Sequence, residues 1–398
     1  MSRFYSHLNT AIAILQQYKG EMPLSAFLKN FFSKEKKYGS RDRRTISSLC
    51  YNYFRTGGAI KSESFEEKIL AGLFLATDQS NDLLQNEKPG WNEITSLSVA
   101  EKLPLTGIDV ETIFPFNNEL SEGIDPRTFN TSFLIQPKLF ARVRPGKGAI
   151  VKKKLAAAKI TFEEIDETCL AFENGTKLEQ VLEINTEVVI QDLNSQRVGE
   201  LLRATDLQKP VKVWDSCAAS GGKSIMACDL LPGIELTVSD VRPSIIHNLE
   251  RRFKEAGIKG YQSFIADLTG KKNLETSVGS KRFDVIICDA PCSGSGTWSR
   301  TPEQLLFFKQ HEITRYSYLQ KSIAANTIPF LKKGGYLLYI TCSVFKKENE
   351  EVVEFIQKQG GLTLMKMQLL KGYEIKADTM FAALFKNRDS QKTLSDVT

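Results

Sequence analysis

Val211-Lys212-Val213-Trp214-Asp215-Ser216-Cys217-Ala218-Ala219-Ser220-Gly221-Gly222-Lys223-Ser224 is the stretch on which the fold of this chain turns. Val211 to Trp214 is a short, mostly apolar run that predicts a strand. The residues after it are small, so the backbone can turn tightly and come close to a ligand. A helix that follows such a loop offers unpaired backbone N–H groups to an anionic group. The Gly-Gly-Lys-Ser ending looks like the end of a phosphate-binding P-loop. That motif needs a glycine five positions before the glycine of its Gly-Lys-Ser, and Cys217 stands there. A carboxylate-bearing ligand suits the loop better than a triphosphate.

Downstream, the same strand, loop and helix pattern repeats. Glu235 to Val238, Ser263 to Ile265, Phe283 to Cys288 and Tyr336 to Ile340 are short apolar runs, most of them separated by helical segments. This alternation predicts an α/β domain with a parallel, doubly wound sheet. Ligands of such sheets bind beyond the carboxyl ends of the strands. Asp240 follows the second strand about 20 residues past the loop, where a carboxylate pairs with ribose hydroxyls. Asp267 follows the third, placed to accept from an adenine amino group. Cys288-Asp289-Ala290-Pro291-Cys292 follows the fourth strand and Thr341-Cys342-Ser343 the fifth. Two thiols and a carboxylate are therefore expected on one rim. Cys50, Cys169, Cys228 and Cys288 are read as small buried residues.

Upstream the period changes. From Tyr5 to Thr56 apolar residues recur at three and four, and Phe65, Ile69, Leu70, Leu73 and Phe74 continue the helical stripe. Asp125-Pro126 closes this region, giving an all-helical domain over 1–130. Its basic stretch from Lys34 to Arg44, with Arg41 and Arg43, is a solvated helix end or a phosphate-contacting patch. Residues 131–192 predict a small α+β module: strands at Leu139 to Val143, Ile160 to Ile165, Cys169 to Phe172 and Val188 to Ile190, and a helix over Lys147 to Lys159. Gln191 to Leu202 looks helical. The α/β domain then runs over 193–390, with a polar tail at 391–398.

Composition narrows the class. With 53 Lys+Arg against 47 Asp+Glu the 398-residue chain carries a formal +6, which permits a nucleic-acid partner. Seven cysteines without a CxxC pair and three histidines give neither a disulfide framework nor a zinc cluster, so no metal site is expected. A reducing, cytoplasmic compartment fits. The N-terminus lacks the apolar core of a signal peptide, and no run is long enough to span a bilayer, so no membrane association is expected.

Residues from about 188 to 356 resemble the catalytic domain of the RsmB/Nop-type RNA (cytosine-C5) methyltransferases. The resemblance rests on CAASGGKS at 217–224, SDVRP at 239–243, AD at 266–267, DAPCSGSGTWSRTPE at 289–303 and TCSVFKKENEEVV at 341–353. Gln191-Asp192 with Ser195 is similar to the family's lead-in. The resemblance implies a Rossmann-like fold and S-adenosyl-L-methionine as cofactor, bound by Cys217, Ala218, Ala219, Ser220, Gly221, Gly222, Lys223, Asp240, Asp267 and Asp289. It implies Cys342 as nucleophile toward carbon 6 of cytosine, Asp289 as partner of the pyrimidine edge, and Cys292 as the residue that assists release. Lys223 is our candidate for activating Cys342, since an unperturbed thiol is only a few per cent ionised at neutral pH. Arg300, Arg142, Arg41 and Arg43 are candidate RNA contacts. The substrate implied is RNA, ribosomal first and transfer RNA second, with no obligate protein partner visible. The chain departs from the family at Ser220, where proline is usual, at Ser299, often arginine, and at Arg144, usually asparagine. Two other readings are a methyltransferase acting on DNA or protein, and a non-catalytic RNA-binding assembly factor. The paired PC and TC motifs argue against the first, and the presence of Cys342 and Asp289 against the second.

Overall fold

A computed structural model describes residues 3–231 and 233–388, so the 391–398 tail lies outside the described residues. The chain divides into two compact units, Met1–Pro137 with Thr297–Gln310, and Lys138–Gly296 with His311–Thr398. Each is described by itself.

The first unit is helical. Its main helices are Arg3–Gln17, Leu24–Lys34, Ser40–Arg55 and Phe65–Ala76. Their apolar stripes meet in a core containing Leu8, Ile14, Leu28, Phe32, Ile46, Leu49, Phe54 and Phe74. Ser64 starts the last of these helices by accepting a hydrogen bond from the Glu67 N–H, which satisfies one donor of the first turn. The unit extends to Pro137, past the boundary expected near 130, because the helix Pro126–Ser132 brings Phe129 and Phe133 against Phe114. It also takes in Thr297–Gln310, a segment the sequence assigned to the α/β domain. Trp298 packs on Phe114, Phe116 and Phe308 at 5.6, 6.2 and 4.9 Å between ring centres. Glu303 accepts the Leu24 N–H at 3.0 Å, and the buried Arg55 guanidinium donates to the Ser299 carbonyl at 3.1 Å.

The second unit holds two sheets. Strands β1 (Leu139–Val143), β2 (Glu163–Asp166), β3 (Cys169–Phe172) and β4 (Val188–Ile190) form an antiparallel sheet in the order β2-β3-β1-β4. The helix Gly148–Ala157 packs Val151 and Leu155 against it. The larger sheet contains β5 (Lys212–Asp215), β6 (Glu235–Asp240), β7 (Gln262–Ile265), β8 (Phe283–Asp289), β9 (Leu331–Thr341), β10 (Leu362–Leu370) and β11 (Met380–Asn387). Its order is β10-β11-β9-β8-β5-β6-β7. Alternate residues feed cores on opposite faces. Val285 and Ile287 of β8 face one, Ile286 and Cys288 the other.

The five expected strands pair in parallel, but the sheet is mixed. β11 runs antiparallel to both β9 and β10. Phe381 to Phe385 is buried on both faces, a demand met by lying between two strands rather than at an edge. β5 is flanked by β6 on one side and β8 on the other. The strand order therefore reverses at β5, and the crevice beyond its carboxyl end is the place where such sheets bind ligands.

Candidate active site

The loop after β5 is shaped by backbone conformation. Ala219 and Gly221 both have left-handed φ, +44° and +84°. At Gly221 a Cβ would stand 2.6 Å from Phe253 Cε1, so only glycine fits. The Ala218 N–H donates to the Ser239 carbonyl at 2.9 Å and the Ala219 N–H to Asp240 Oδ2 at 3.2 Å, which tie the loop to the end of β6. Ser220 accepts from Arg252 Nη1 through its carbonyl and its hydroxyl, at 2.9 and 2.7 Å. That anchorage holds the loop where a proline would otherwise stiffen it. The helix Gly222–Leu230 starts there.

Beyond the strand ends lies a cleft of about 580 Å³. Asp240, Asp267 and Asp289 line it, one carboxylate from each of β6, β7 and β8, together with Cys217, Ala219 and Cys292. The Asp240 oxygens are oriented by the Ala219 and Arg242 N–H groups and by the Arg242 guanidinium. Asp267 accepts from the Thr269 hydroxyl and N–H at 2.7 and 2.9 Å, and the hydroxyl first of all holds its carboxyl below the usual range. Val241, 54% exposed, presents an apolar surface to the cleft, with Leu268 and Ile323 also in the lining. Two carboxylates beside an apolar slot, next to a loop with open backbone, suit a ligand with a planar base, a ribose and an amino-acid tail. Val241, Leu268, Ile323 and Tyr316 were not singled out from the sequence. The one signal was Val241, an apolar residue directly after a strand-end aspartate.

Lys223 is buried. Its Nζ donates to Ser195 Oγ at 2.6 Å and lies 3.2 Å from Asp289 Oδ2. It does not pair with Cys342, so the expectation that it activates that thiol is corrected: its charge is spent on Asp289. Asp215, below it, is buried. Its Oδ2 accepts from Ser224 Oγ at 2.6 Å while Oδ1 has no partner, and burial pushes its carboxyl up to about 7.

The two cysteines converge. Cys292 Sγ and Cys342 Sγ are 3.3 Å apart, and both cysteines are free and half-buried as residues. The Gly296 N–H donates to the Cys342 carbonyl at 2.9 Å, and the Gly296 carbonyl accepts the Thr379 N–H at 2.9 Å. A Cβ on Gly296 would meet the Thr379 carbonyl at 2.0 Å, so glycine lets the loop after β8 lie flat against the ends of β9 and β11. The Cys342 contact, followed by burial, raises the Cys292 thiol well above its ordinary value. Burial pushes Cys50, Cys169 and Cys228 up to about 12.

The candidate RNA contacts do not gather here. Arg142 is buried in the second unit, donating to Gln191 Oε1 at 2.9 Å and paired with Asp229 at 2.6 Å. It is an internal strut, not a surface contact, because every residue of β1 from Phe140 to Val143 is buried. Arg144, on the same carboxylate, also donates to the Asn185 and Ala256 carbonyls, both at 2.8 Å. Arg41, Arg43 and Arg300 belong to the first unit. Arg41 is exposed, whereas Arg43 donates to the Tyr38 carbonyl at 2.8 Å and lies over the Phe32 ring. Among the described residues no group of three or more His, Cys, Asp or Glu could hold a metal ion, and no helix is long and apolar enough to cross a membrane.

Residues 203–392 match the sequence model of a family described as 16S rRNA methyltransferase RsmB/F. This segment is an RsmB/F-type methyltransferase domain. A probable ribosomal RNA small subunit methyltransferase B of Bacillus subtilis is 33% identical over 231 residues, covering 56% of this chain and 50% of that protein. The chain spans about half the length of the curated relatives it matches. Among solved structures, PH0851 superposes with a TM-score of 0.69 at 18% identity, over 95% of this chain and 97% of that one. A methyltransferase homolog protein from Pyrococcus horikoshii gives 0.56 at 18% identity, over 67% and 92%. These two carry the fold alone. The cofactor of the RsmB/F-type domain is S-adenosylmethionine, and the cleft's carboxylates, apolar slot and glycine loop fit it.

Proposed function

We propose that this protein transfers a methyl group to carbon 5 of a cytosine in RNA through a covalent cysteine–cytosine adduct. The observation that carries the reading is the pair of thiols 3.3 Å apart at the ends of the neighbouring strands β8 and β9, with Asp289 on the adjoining cleft. S-adenosylmethionine supplies an electrophilic methyl group. Carbon 5 of cytosine is too weak a nucleophile to take it while the ring is aromatic. The Cys342 thiolate adds to carbon 6, breaking aromaticity and making carbon 5 an enamine carbon. Asp289 accepts from the amino group at the pyrimidine edge and orients the base, and the Lys223 ammonium paired with it offsets the negative charge that develops toward ring nitrogen 3. After methylation Cys292, relieved of the neighbouring thiol because Cys342 is now bonded to carbon 6, takes the carbon 5 proton as a thiolate or relays it through a water, and the C5–H electrons reform the ring double bond as Cys342 leaves as a thiolate. The target base must leave its stack to reach these groups.

Ribosomal RNA is the proposed substrate class, supported by the names of the curated relatives. Transfer RNA is the second reading, and the cytoplasm is the proposed compartment. Arg41, Arg43 and Arg300 are kept as RNA contacts.

Denaturing gels of Cys292→Ala and Cys342→Ala proteins purified from expressing cells test the chemistry. Cys292→Ala is expected to carry an RNase-sensitive, slow-migrating adduct and Cys342→Ala none. Sequencing the trapped RNA names the target. A Cys342→Ala protein that still methylates RNA would overturn the assignment.

A further inference from the structure

The motif that carries Cys342 also carries Glu348, a carboxylate with no part in the chemistry above. Glu348 is fully buried, and its side-chain partners are all neutral. Oε2 accepts the Ser293 N–H and a hydrogen of Gln320 Nε2, each at 2.9 Å. Oε1 accepts the Ser343 hydroxyl at 3.0 Å. Ser293 follows Cys292 directly and Ser343 follows Cys342, so one carboxylate grips the residue next to each thiol. Gln320 Nε2 also donates to the Pro291 carbonyl at 3.0 Å, on the other side of Cys292.

The grip is reinforced around Glu348. Its own carbonyl accepts the Tyr339 hydroxyl at 2.7 Å. Asn349, next in the chain, accepts from the Thr341 hydroxyl at 2.6 Å and donates to the Ser343 carbonyl at 2.9 Å. Ser295 Oγ accepts the Val344 N–H at 2.9 Å and lies 3.3 Å from Ser343 Oγ. Burial first of all raises the Glu348 carboxyl, and the hydrogen bonds from Ser293, Gln320 and Ser343 offset part of that cost.

We propose that Glu348 is a positioning residue that clamps the loops after β8 and β9 and thereby sets the spacing of the Cys292 and Cys342 sulfurs. The inference rests on the two-cysteine reading of the preceding section and deepens it. Addition at carbon 6 and proton removal at carbon 5 act on adjacent ring atoms, so the two sulfurs must stay close while a base enters. A misplacement of about 1 Å can cost on the order of 100-fold in rate.

The clamp predicts a specific rank of variants. In Glu348→Gln the amide oxygen can still accept from Ser293 and Gln320, and the amide nitrogen can donate to the Ser343 hydroxyl, which rotates to accept. In Glu348→Ala all three bonds are gone. Dibromobimane, a short reagent that becomes fluorescent when both arms have alkylated thiols, reports the sulfur spacing without any turnover. It would be applied to the full chain in a background in which Cys50, Cys169, Cys217, Cys228 and Cys288 are serine or alanine. Wild-type spacing and Glu348→Gln are expected to cross-link in high yield. Glu348→Ala is expected to lose most of the cross-link and about 100-fold in kcat, with KM for RNA within threefold. Should Glu348→Ala fail to fold, Ser343→Ala, which removes the Oε1 bridge together with the hydroxyl's contacts to Ser293, Ser295 and the Phe345 N–H, is expected to lower the cross-link yield severalfold. The clamp is overturned if Glu348→Ala, or in its place Ser343→Ala, cross-links like the parent. It is equally overturned if Glu348→Gln loses as much activity as Glu348→Ala, since the charge and not the grip would then matter. Because the cross-link needs no RNA, its outcome separates the clamp from the two-cysteine chemistry, which the adduct gels decide.

Discussion

Gly221→Ala is expected to destabilise the second unit, and the size of the effect can be worked from two observations. The backbone at residue 221 is left-handed, with φ at +84°. An L-residue there costs roughly 1–2 kcal/mol. The added methyl would also stand 2.6 Å from Phe253 Cε1 and 3.2 Å from Leu249 Cγ, both in side chains buried beneath the loop. Forcing an extra carbon into a packed core costs about 1–3 kcal/mol. Together the two effects come to about 2–5 kcal/mol, which lowers Tm by roughly 4–20 °C in a unit of this size. Differential scanning calorimetry of the full chain reads it. Gly222→Ala is the control, because nothing lies within 4 Å of its Cβ and it opens a helix. That variant is expected to keep its Tm or gain slightly. If Gly221→Ala melts within 1 °C of the parent while Gly222→Ala falls, then the conformational account of the loop is wrong.

Three further perturbations follow from the same geometry. Lys223→Met leaves Asp289 without its cation and should cut kcat about 10- to 100-fold, the worth of a charged hydrogen bond. The pH dependence of Cys342 alkylation by iodoacetamide should not move, and a shift would restore Lys223 as its activator. Asp215→Asn bears on stability against pH. The Asp215 carboxyl is raised to about 7 by burial, well above its unfolded value. Its contribution is therefore full below the unfolded value and is lost as pH rises toward 7. Asparagine can still accept from Ser224 and does not titrate, so the variant should gain on the parent between pH 4 and pH 7.5 in urea unfolding. A gap that stays constant would refute this. Trp298→Ala empties the centre of the cluster of Phe114, Phe116 and Phe308 and should cost about 3–5 kcal/mol, read by urea unfolding of the full chain.

What could be read from the chain depends on how local the physics is. The five parallel strands were legible because each is a short apolar run that ends in a polar or small residue. The carboxylates at the ends of β6, β7 and β8 followed from that, since a strand end fixes the rim on which its next residue stands. β10 was not legible. Leu362 to Leu370 mixes Lys366 and Gln368 with exposed Met365 and Met367, and edge strands need no apolar run. That Thr297–Gln310 packs with the helical unit was not legible, for a related reason. It continues the Cys292 motif without a break, yet Trp298, Glu303 and Phe307 find their partners at Phe114, Leu24 and Tyr18, far away along the chain. Glu348 sat in plain view inside a motif, but its three partners come from two loops and a helix that only the fold assembles.

Lys223 shows the same limit most sharply, because the partner it meets is Asp289 and not the Cys342 expected for it. Both Lys223 and Cys342 follow strands that end on one rim, which made their pairing reasonable. The strand order decides otherwise. β5, which leads to Lys223, lies next to β8 and not next to β9. Neighbouring strands are about 4.8 Å apart, so the end of β9 lies about 10 Å from the end of β5. A lysine side chain reaches across one such step with ease, and across two only at full extension. The carboxylate at one step is Asp289, a charged partner that a buried ammonium needs more than a thiol does. Once the order β9-β8-β5 is known, the Lys223 pair with Asp289 follows from spacing and charge. The thiol of Cys342, next to the β8 loop on its other side, is left to meet Cys292.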